Sequence, residues 1–409
     1  MTTNVCTAPA GETATQREAG EQPAFWSGVF AMTLCVFALI ASEFMPVSLL
    51  TPMAADLHVT EGMMGRGIAI SGACAVVTSL FISTLAGSMN RKTLLLGLTG
   101  VMALSGAIVA MASDYVTYMA GRALIGVVVG GFWSMSAATA MRLVPASQVP
   151  RALAIFNGGN ALATVVAAPL GSYLGSVIGW RGAFFCLVPV ALIALAWQWI
   201  SLPSMRVAPR SAGSSSGNVF ALFRNPVVTL GMIGAGLFFM GQFTLFTYLR
   251  PFLETVTQVG VSALSLILLL IGVAGFIGTT LIGTVLKRRF YQTLIAIPIL
   301  MAAIAVALVA FGGWATAVVA LLGFWGLVAT AAPVGWWSWV ARTFPQNAEA
   351  GGGLMVAVVQ LAIAIGSTVG GLLFDSSGYQ STFEASAALL LVAAFLTFLT
   401  SRAQAARTA

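Results

Sequence analysis

Two opposite charges interrupt apolar stretches in the first half of the chain: Glu43 in IASEFMPVSLL and Arg122 in YVTYMAGRALIGVVVGGFWSMSAATAMRLVP. An ionisable side chain within a membrane-length apolar run is costly and turns toward protein or water, so each is a candidate functional group. Each lies about seven residues from the same end of the membrane, roughly 10 Å deep at 1.5 Å per residue. At matching depth an acid and a guanidinium can pair. Opening such a pair to water, or displacing the arginine with a solute, changes the proton affinity of the acid. That is the physical requirement of a proton-coupled antiporter. A static buried ion pair that fixes helix packing is the competing account.

Around Arg122 the helical repeat brings Gly126, Gly130 and Trp133 to within about 40° of one direction. That stripe offers two close-approach glycines, which also suit plain helix packing, and an aromatic surface for stacking. Asn157 and Asn160 lie at i and i+3 of a later apolar run. Gln360, Gln242 and Tyr248 add further polar groups to apolar runs. Such amides bind an uncharged, hydrogen-bonding solute or bond between helices. Trp336, with Trp337 and Trp339, lies near a helix end, where an interfacial aromatic belt competes with a stacking role. The four cysteines have no metal-ligand spacing. No phosphate-binding glycine pattern appears, and no His, Cys or paired-carboxylate constellation suggests an enzyme. No cofactor or metal is expected.

The elements that must position these groups are membrane helices. Of 409 residues, 59% are hydrophobic and 7% charged, against about 25% charged in a soluble domain. Twelve apolar runs long enough to cross a bilayer fall near residues 25–50, 63–86, 93–112, 115–141, 152–175, 182–200, 227–249, 261–286, 292–311, 315–340, 352–374 and 382–401. The expected fold class is an all-α membrane protein with two pseudo-symmetric six-helix halves, 25–201 and 226–401. A Ser/Gly/Pro-rich linker, 202–225, joins them, with tails at 1–24 and 402–409.

The net charge of +7 does not form a nucleic-acid patch. With the N-terminus in the cytoplasm, 14 of the 18 Lys and Arg fall on the inner side, three (Arg66, Arg181, Arg250) on the outer side, and Arg122 within the membrane. This places both termini in the cytoplasm. Asp114, Glu254, Asp375 and the three outer arginines read as solvated loop charges. An offset of 200 residues superposes Gly126 on Gly326, Arg142 and Pro145 on Arg342 and Pro345, Asn160 on Gln360, and Gly171 on Gly371. Such a repeat, joined by a cytoplasmic linker, is the architecture of a secondary transporter with its site between the halves.

From about residue 25 to 400 the chain resembles the major facilitator superfamily, in its drug/proton antiporter branch with twelve helices. Arg122 with Gly126 and Gly130 is similar to that branch's basic motif of the fourth helix. Ala167-Ala168-Pro169-Leu170-Gly171 is similar to its antiporter motif of the fifth, with Ala168 where glycine is usual. Residues 83–92 stand at its gating loop, keeping Arg91 and Lys92 but carrying Gly87 in place of the usual acid. The resemblance implies conformational roles for Gly126, Gly130, Pro169, Gly171, Arg91 and Lys92. A narrower similarity, to the bacterial purine ribonucleoside exporters, is carried by Glu43-Phe44 with 46–53, 130–133 with 141–145, 167–172, Thr247-Tyr248 with Arg250-Pro251, 333–336, and Val358 with Gln360-Leu361. Sugar exporters share some of these elements. The resemblance implies export of purine ribonucleosides such as inosine and guanosine in exchange for protons across a bacterial inner membrane; a monomer is expected. Sugars or small drugs are the alternative cargo. Glu43 and Arg122 would couple protons, and Trp133, Asn157, Asn160, Gln242, Tyr248, Trp336 and Gln360 would meet substrate.

Overall fold

In hydrocarbon no water serves the backbone, so a spanning segment must satisfy its own amides, which a helix does. The computed structural model describes residues 24–87, 89–145, 148–205, 224–344 and 348–408, and every regular element among them is helical. The expected tail through residue 23 and the linker portion 206–223 lie outside the described residues. The helices are α1 (Trp26–Asp56), α2 (Glu61–Ala86), α3 (Arg91–Ala110), α4 (Tyr115–Leu143), α5 (Val149–Phe185), α6 (Leu187–Ser201), α7 (Pro226–Phe246), α8 (Leu249–Thr255), α9 (Val261–Arg288), α10 (Phe290–Phe311), α11 (Ala315–Ala329), α12 (Ala332–Thr343) and α13 (Ala348–Thr408). Among the described residues ten segments are long and apolar enough to cross a membrane.

Two of those ten, 51 and 56 residues long, would each reach more than twice the bilayer thickness if straight. Each bends at one glycine with positive φ, Gly179 (75°) and Gly378 (79°). A side chain there would be strained, so glycine makes the reversal possible. The short loops expected after residues 175 and 374 are therefore replaced by hinges within continuous helix. Conversely, the expected run 227–249 breaks at Thr247–Tyr248, giving α7 and α8. The run 315–340 breaks at Thr330–Ala331, giving α11 and α12. In both cases a proline stands where it removes the helical bond across the break, Pro251 to the Thr247 carbonyl and Pro333 to that of Ala329.

The core divides by half. Two apolar clusters are drawn almost wholly from α1–α6, while a third is built on α7–α13. The 200-residue offset recurs as tertiary contact. Gly126 lies on the backbone of Ser71, and Gly326 on that of Ile271. Gly171 lies on Ser48, and Gly371 on Tyr248. The turns after α1 and α8 both use a non-glycine residue at positive φ, His58 (53°) and Gln258 (56°). One end of the bundle carries these turns together with the Gly179 and Gly378 hinges. The other carries the C-terminus of α4 and both ends of α13. They are called here the His58 end and the Leu143 end. At the His58 end Asp114 caps α4, accepting from Thr117 N at 2.9 Å. That bond holds its carboxyl below the usual aspartate range.

The α2–α4 contact depends on bare glycine. Gly126→Val would drive its side chain into the Ser71 backbone, and overpacking of this kind costs about 1–3 kcal/mol. The expected outcome is a lowered unfolding midpoint for the purified protein in detergent, with a comparable loss from Gly130→Val against Ala75.

Candidate functional site

The site begins with two prolines in α1. Pro46 and Pro52 have no N–H, so the carbonyls four residues earlier, Ser42 and Ser48, lose their helical partners. Each carbonyl is met by a buried arginine. Arg122 of α4, 1% exposed, donates from Nη1 to Ser42 O at 2.8 Å, from Nη2 to Glu43 O at 3.2 Å and from Nε to Gly67 O of α2 at 3.1 Å. Arg250 of α8, 6% exposed, donates from Nη1 to Ser48 O across the two halves. Its Nε and Nη2 each lie 2.8 Å from Glu254 Oε1.

The anticipated pairing of the Glu43 and Arg122 side chains is therefore corrected. Among the described residues the salt bridges are Arg181–Asp56 and Arg250–Glu254. Arg122 spends its donors on main-chain carbonyls of α1 and α2, including Glu43's own. The Glu43 side chain, 7% exposed, accepts instead from Gln360 Nε2 of the opposite half at 3.2 Å. The reason is local: the prolines of α1 leave carbonyls unmet before the guanidinium, whose five donors suit several acceptors at once. Near Arg122 the hydroxyls of Tyr118 and Ser71, one turn from Arg122 and from Gly67 respectively, are buried without a hydrogen-bond partner among the described residues.

The halves meet at the level of Glu43 and on toward the His58 end. Phe44 stacks on Phe243 at 5.8 Å, and Gly72 packs on Gln360 and Ala364. Gly272 lies on Val165, and Gly65 under the Tyr248 ring. At the rim, Asp375 of α13 accepts from Thr60 Oγ1 (2.6 Å) and Gly62 N (3.0 Å) at the start of α2. The helix pairs that carry the junction are α2–α13, α5–α9 and α1–α8. These contacts run from mid-span toward the His58 end, so Glu43 and Gln360 form the inner edge of the contact between the halves.

The other expected site residues fall on both sides of this boundary. Asn157 is exposed, its Nδ2 bonded to Leu153 O at 2.9 Å. It lies eight residues before Val165, which faces the opposite half, and so points about 80° away from that direction. Asn160 is half-buried, and its main-chain oxygen accepts from Thr164. Trp133 meets Phe156 edge-on at 6.3 Å. Gln242 is half-buried beside Phe243, with Oε1 unmet among the described residues. Two residues are placed where no solute reaches them in this state. Tyr248 is fully buried, donating to Ser367 O at 2.6 Å and stacked on Phe374 at 5.3 Å. Trp336 is buried, packed edge-on to Trp339 at 5.9 Å inside the second-half core. Both are large aromatics that fill space beside glycines or other rings, which periodicity alone does not disclose.

The conformational residues also acquire partners. Gly126 and Gly130 seat α4 on α2, and Gly171 seats α5 on Ser48 and Met45 of α1. Pro169 frees the carbonyl of Val165, at the point where Gly272 crosses. Arg91 N bonds Met205 O at 3.1 Å, and its guanidinium lies 3.9 Å from Met135 Sδ. Lys92 N bonds Asn90 Oδ1, which also accepts from Met205 N. This loop thus holds the end of the first half. Sequence reasoning missed Arg250, read as a solvated loop charge. The available signal was Pro52, whose missing N–H calls for a donor to Ser48.

A model of the Major Facilitator Superfamily matches residues 32–366. The chain belongs to this superfamily. It is 69% identical over 392 residues to a Pseudomonas aeruginosa protein named "Transcription regulatory protein OpdE", covering 96% of this chain and 98% of that one. It is 39% identical over 371 residues to the purine ribonucleoside efflux pump NepI of Salmonella paratyphi C, covering 91% and 93%. The fold matches a bacterial homologue of the lysosomal transporter Spinster, in an inward-facing, unoccupied conformation, with TM-score 0.72 at 16% identity over 94% of this chain and 98% of that one. The chain is thus a multi-pass membrane protein of a transporter family.

In this major facilitator chain Arg122 holds a proline-interrupted helix by its backbone. Arg122→Lys keeps the charge but cannot serve three carbonyls in one plane. Buried acceptors left unmet cost about 1–3 kcal/mol each. Arg122→Lys is expected to lower the unfolding midpoint measurably and Arg122→Ala to lower it further, both read by thermal unfolding in detergent.

Proposed function

We propose that this chain exports purine ribonucleosides, inosine and guanosine among them, in exchange for protons across a bacterial inner membrane by alternating access. The observation that carries this reading is the Glu43 carboxylate at the junction of the halves, bonded to Gln360 from the opposite side. A carboxylate has about four acceptor positions, and one amide occupies one of them. Ribose hydroxyls donating to the remaining lone pairs gain charge-assisted hydrogen bonds. A proton on the same carboxyl removes that charge. Solute and proton then exclude each other at one group, as exchange requires. Gln242 Oε1 offers a further unmet acceptor, Asn157 an exposed amide, and Trp133 a ring for a base. Arg122 keeps the α1 backbone at Glu43 fixed while the side chain changes state. By the charge sorting, the closed His58 end is the outer one. The bundle then opens toward the cytoplasm, where an exporter loads.

The identity with a purine ribonucleoside pump supports the choice of cargo. A sugar or drug cargo is the second reading, favoured by the Glu-Phe element that sugar exporters share. The name of the Pseudomonas relative attributes transcriptional regulation to it. For a chain made of membrane helices we read such an effect as indirect: exporting an effector lowers its concentration inside the cell.

Glu43→Gln keeps size and hydrogen bonding but cannot release a proton. In everted vesicles with an imposed pH gradient, it is expected to lose gradient-driven inosine accumulation at least about tenfold while still binding solute. Parental accumulation by this variant would refute the coupling role. In the parent, protons compete with solute, so apparent inosine affinity should fall as pH falls, and Glu43→Gln should flatten that dependence. Cells expressing the chain should resist 6-mercaptopurine riboside more than toxic arabinose analogues; the reverse order would favour the sugar reading. Any transcriptional effect should disappear together with transport in Glu43→Gln.

A further inference from the structure

We propose that Arg250 is a positioning residue that latches the outer gate, and that Pro52 creates its socket. The inference rests on the alternating-access reading above but is independent of the cargo. Arg250 is buried at the His58 end. Its guanidinium is divided between Glu254, one turn along its own helix, and the main-chain oxygen of Ser48 in the opposite half. That oxygen is free because Pro52, four residues on, supplies no N–H. Arg122 makes the corresponding contact to the carbonyl freed by Pro46, but within the first half, where nothing need separate. The two prolines therefore furnish one permanent and one separable acceptor on the same helix.

Opening this end must break the Arg250–Ser48 bond. It must also release Asp375 from Thr60 and Gly62, the parallel tie at the rim. Glu254 stays with Arg250 through that motion, since both ride on α8. The ion pair thus aims the guanidinium and shields it when the socket withdraws, whereas the carbonyl bond distinguishes closed from open. Ser48 also lies against Gly171 of α5. The latch therefore bears on the place where α1 packs on the segment that follows Pro169.

The test reads conformation. The full chain, with its four cysteines replaced, carries spin labels at Ser113→Cys and Thr316→Cys in lipid nanodiscs. These are exposed positions of opposite halves at the His58 end. Arg250→Met is expected to raise the ratio of long to short distances about tenfold, the weight of a hydrogen bond to a charged group. Glu254→Gln leaves the carbonyl donor in place and should move that ratio less than about threefold. Pro52→Ala returns a helical donor to Ser48 O while keeping Arg250, and should shift the ratio in the same direction as Arg250→Met by a smaller factor. Arg250→Lys should restore part of the closed population.

An unchanged distance distribution in both Arg250→Met and Pro52→Ala would overturn the proposal, as would a Glu254→Gln shift equal to that of Arg250→Met. If Arg250→Met does not yield folded protein, the Pro52→Ala distances decide alone. No solute or proton gradient enters this measurement, so it can fail while export succeeds, or succeed with a different cargo.

Discussion

Hydrocarbon offers the backbone no hydrogen bonds, so every carbonyl that a proline strips of its helical partner must be served by protein. Much of this molecule follows from that constraint. Pro46 and Pro52 open two acceptors in α1, and two arginines from other helices fill them. Pro251 and Pro333 instead divide their spans, producing the short helices α8 and α12. α8 is what brings Arg250 to Ser48. The same chemical defect, placed at different depths, makes a fixed brace, a separable contact and a change of direction.

The charges act through backbone more than through each other. Burying a guanidinium is costly unless its donors are used, and three carbonyls from α1 and α2 use those of Arg122. This leaves the Glu43 side chain free to look across the molecule. Its partner Gln360 is 317 residues away in sequence. A titratable group whose neighbour belongs to the other half is sensitive to any relative motion of the two, whereas one locked to an arginine of its own half would not be.

Close approach supplies the other ingredient. Without a hydrophobic drive between helices in lipid, small residues let backbones touch. Gly126 on Ser71, Gly326 on Ile271 and Gly272 on Val165 are such contacts. The first two build the halves and the third joins them. Glycines at positive φ do a different job: Gly179 and Gly378 reverse the chain at equivalent places in the repeat, with no loop to accommodate.

How much was legible beforehand follows the range of each interaction. Apolar run length, the 200-residue offset and the two charges stranded in hydrocarbon are properties of the chain read along itself. They determined a helical membrane protein with two related halves, and they marked Glu43 and Arg122 as groups needing partners. The identity of those partners depends on how each helix is rotated about its axis and which neighbour it faces, and hydrophobicity on nearly every side of a span conceals that rotation. Tertiary structure alone therefore decided that Arg122 binds carbonyls, that Glu43 reaches Gln360, that Arg250 is buried between halves, and that Tyr248 and Trp336 fill core space. The prolines are the exception that was legible but unread: a missing N–H announces an unmet carbonyl four residues earlier, though only the packed helices show which donor arrives.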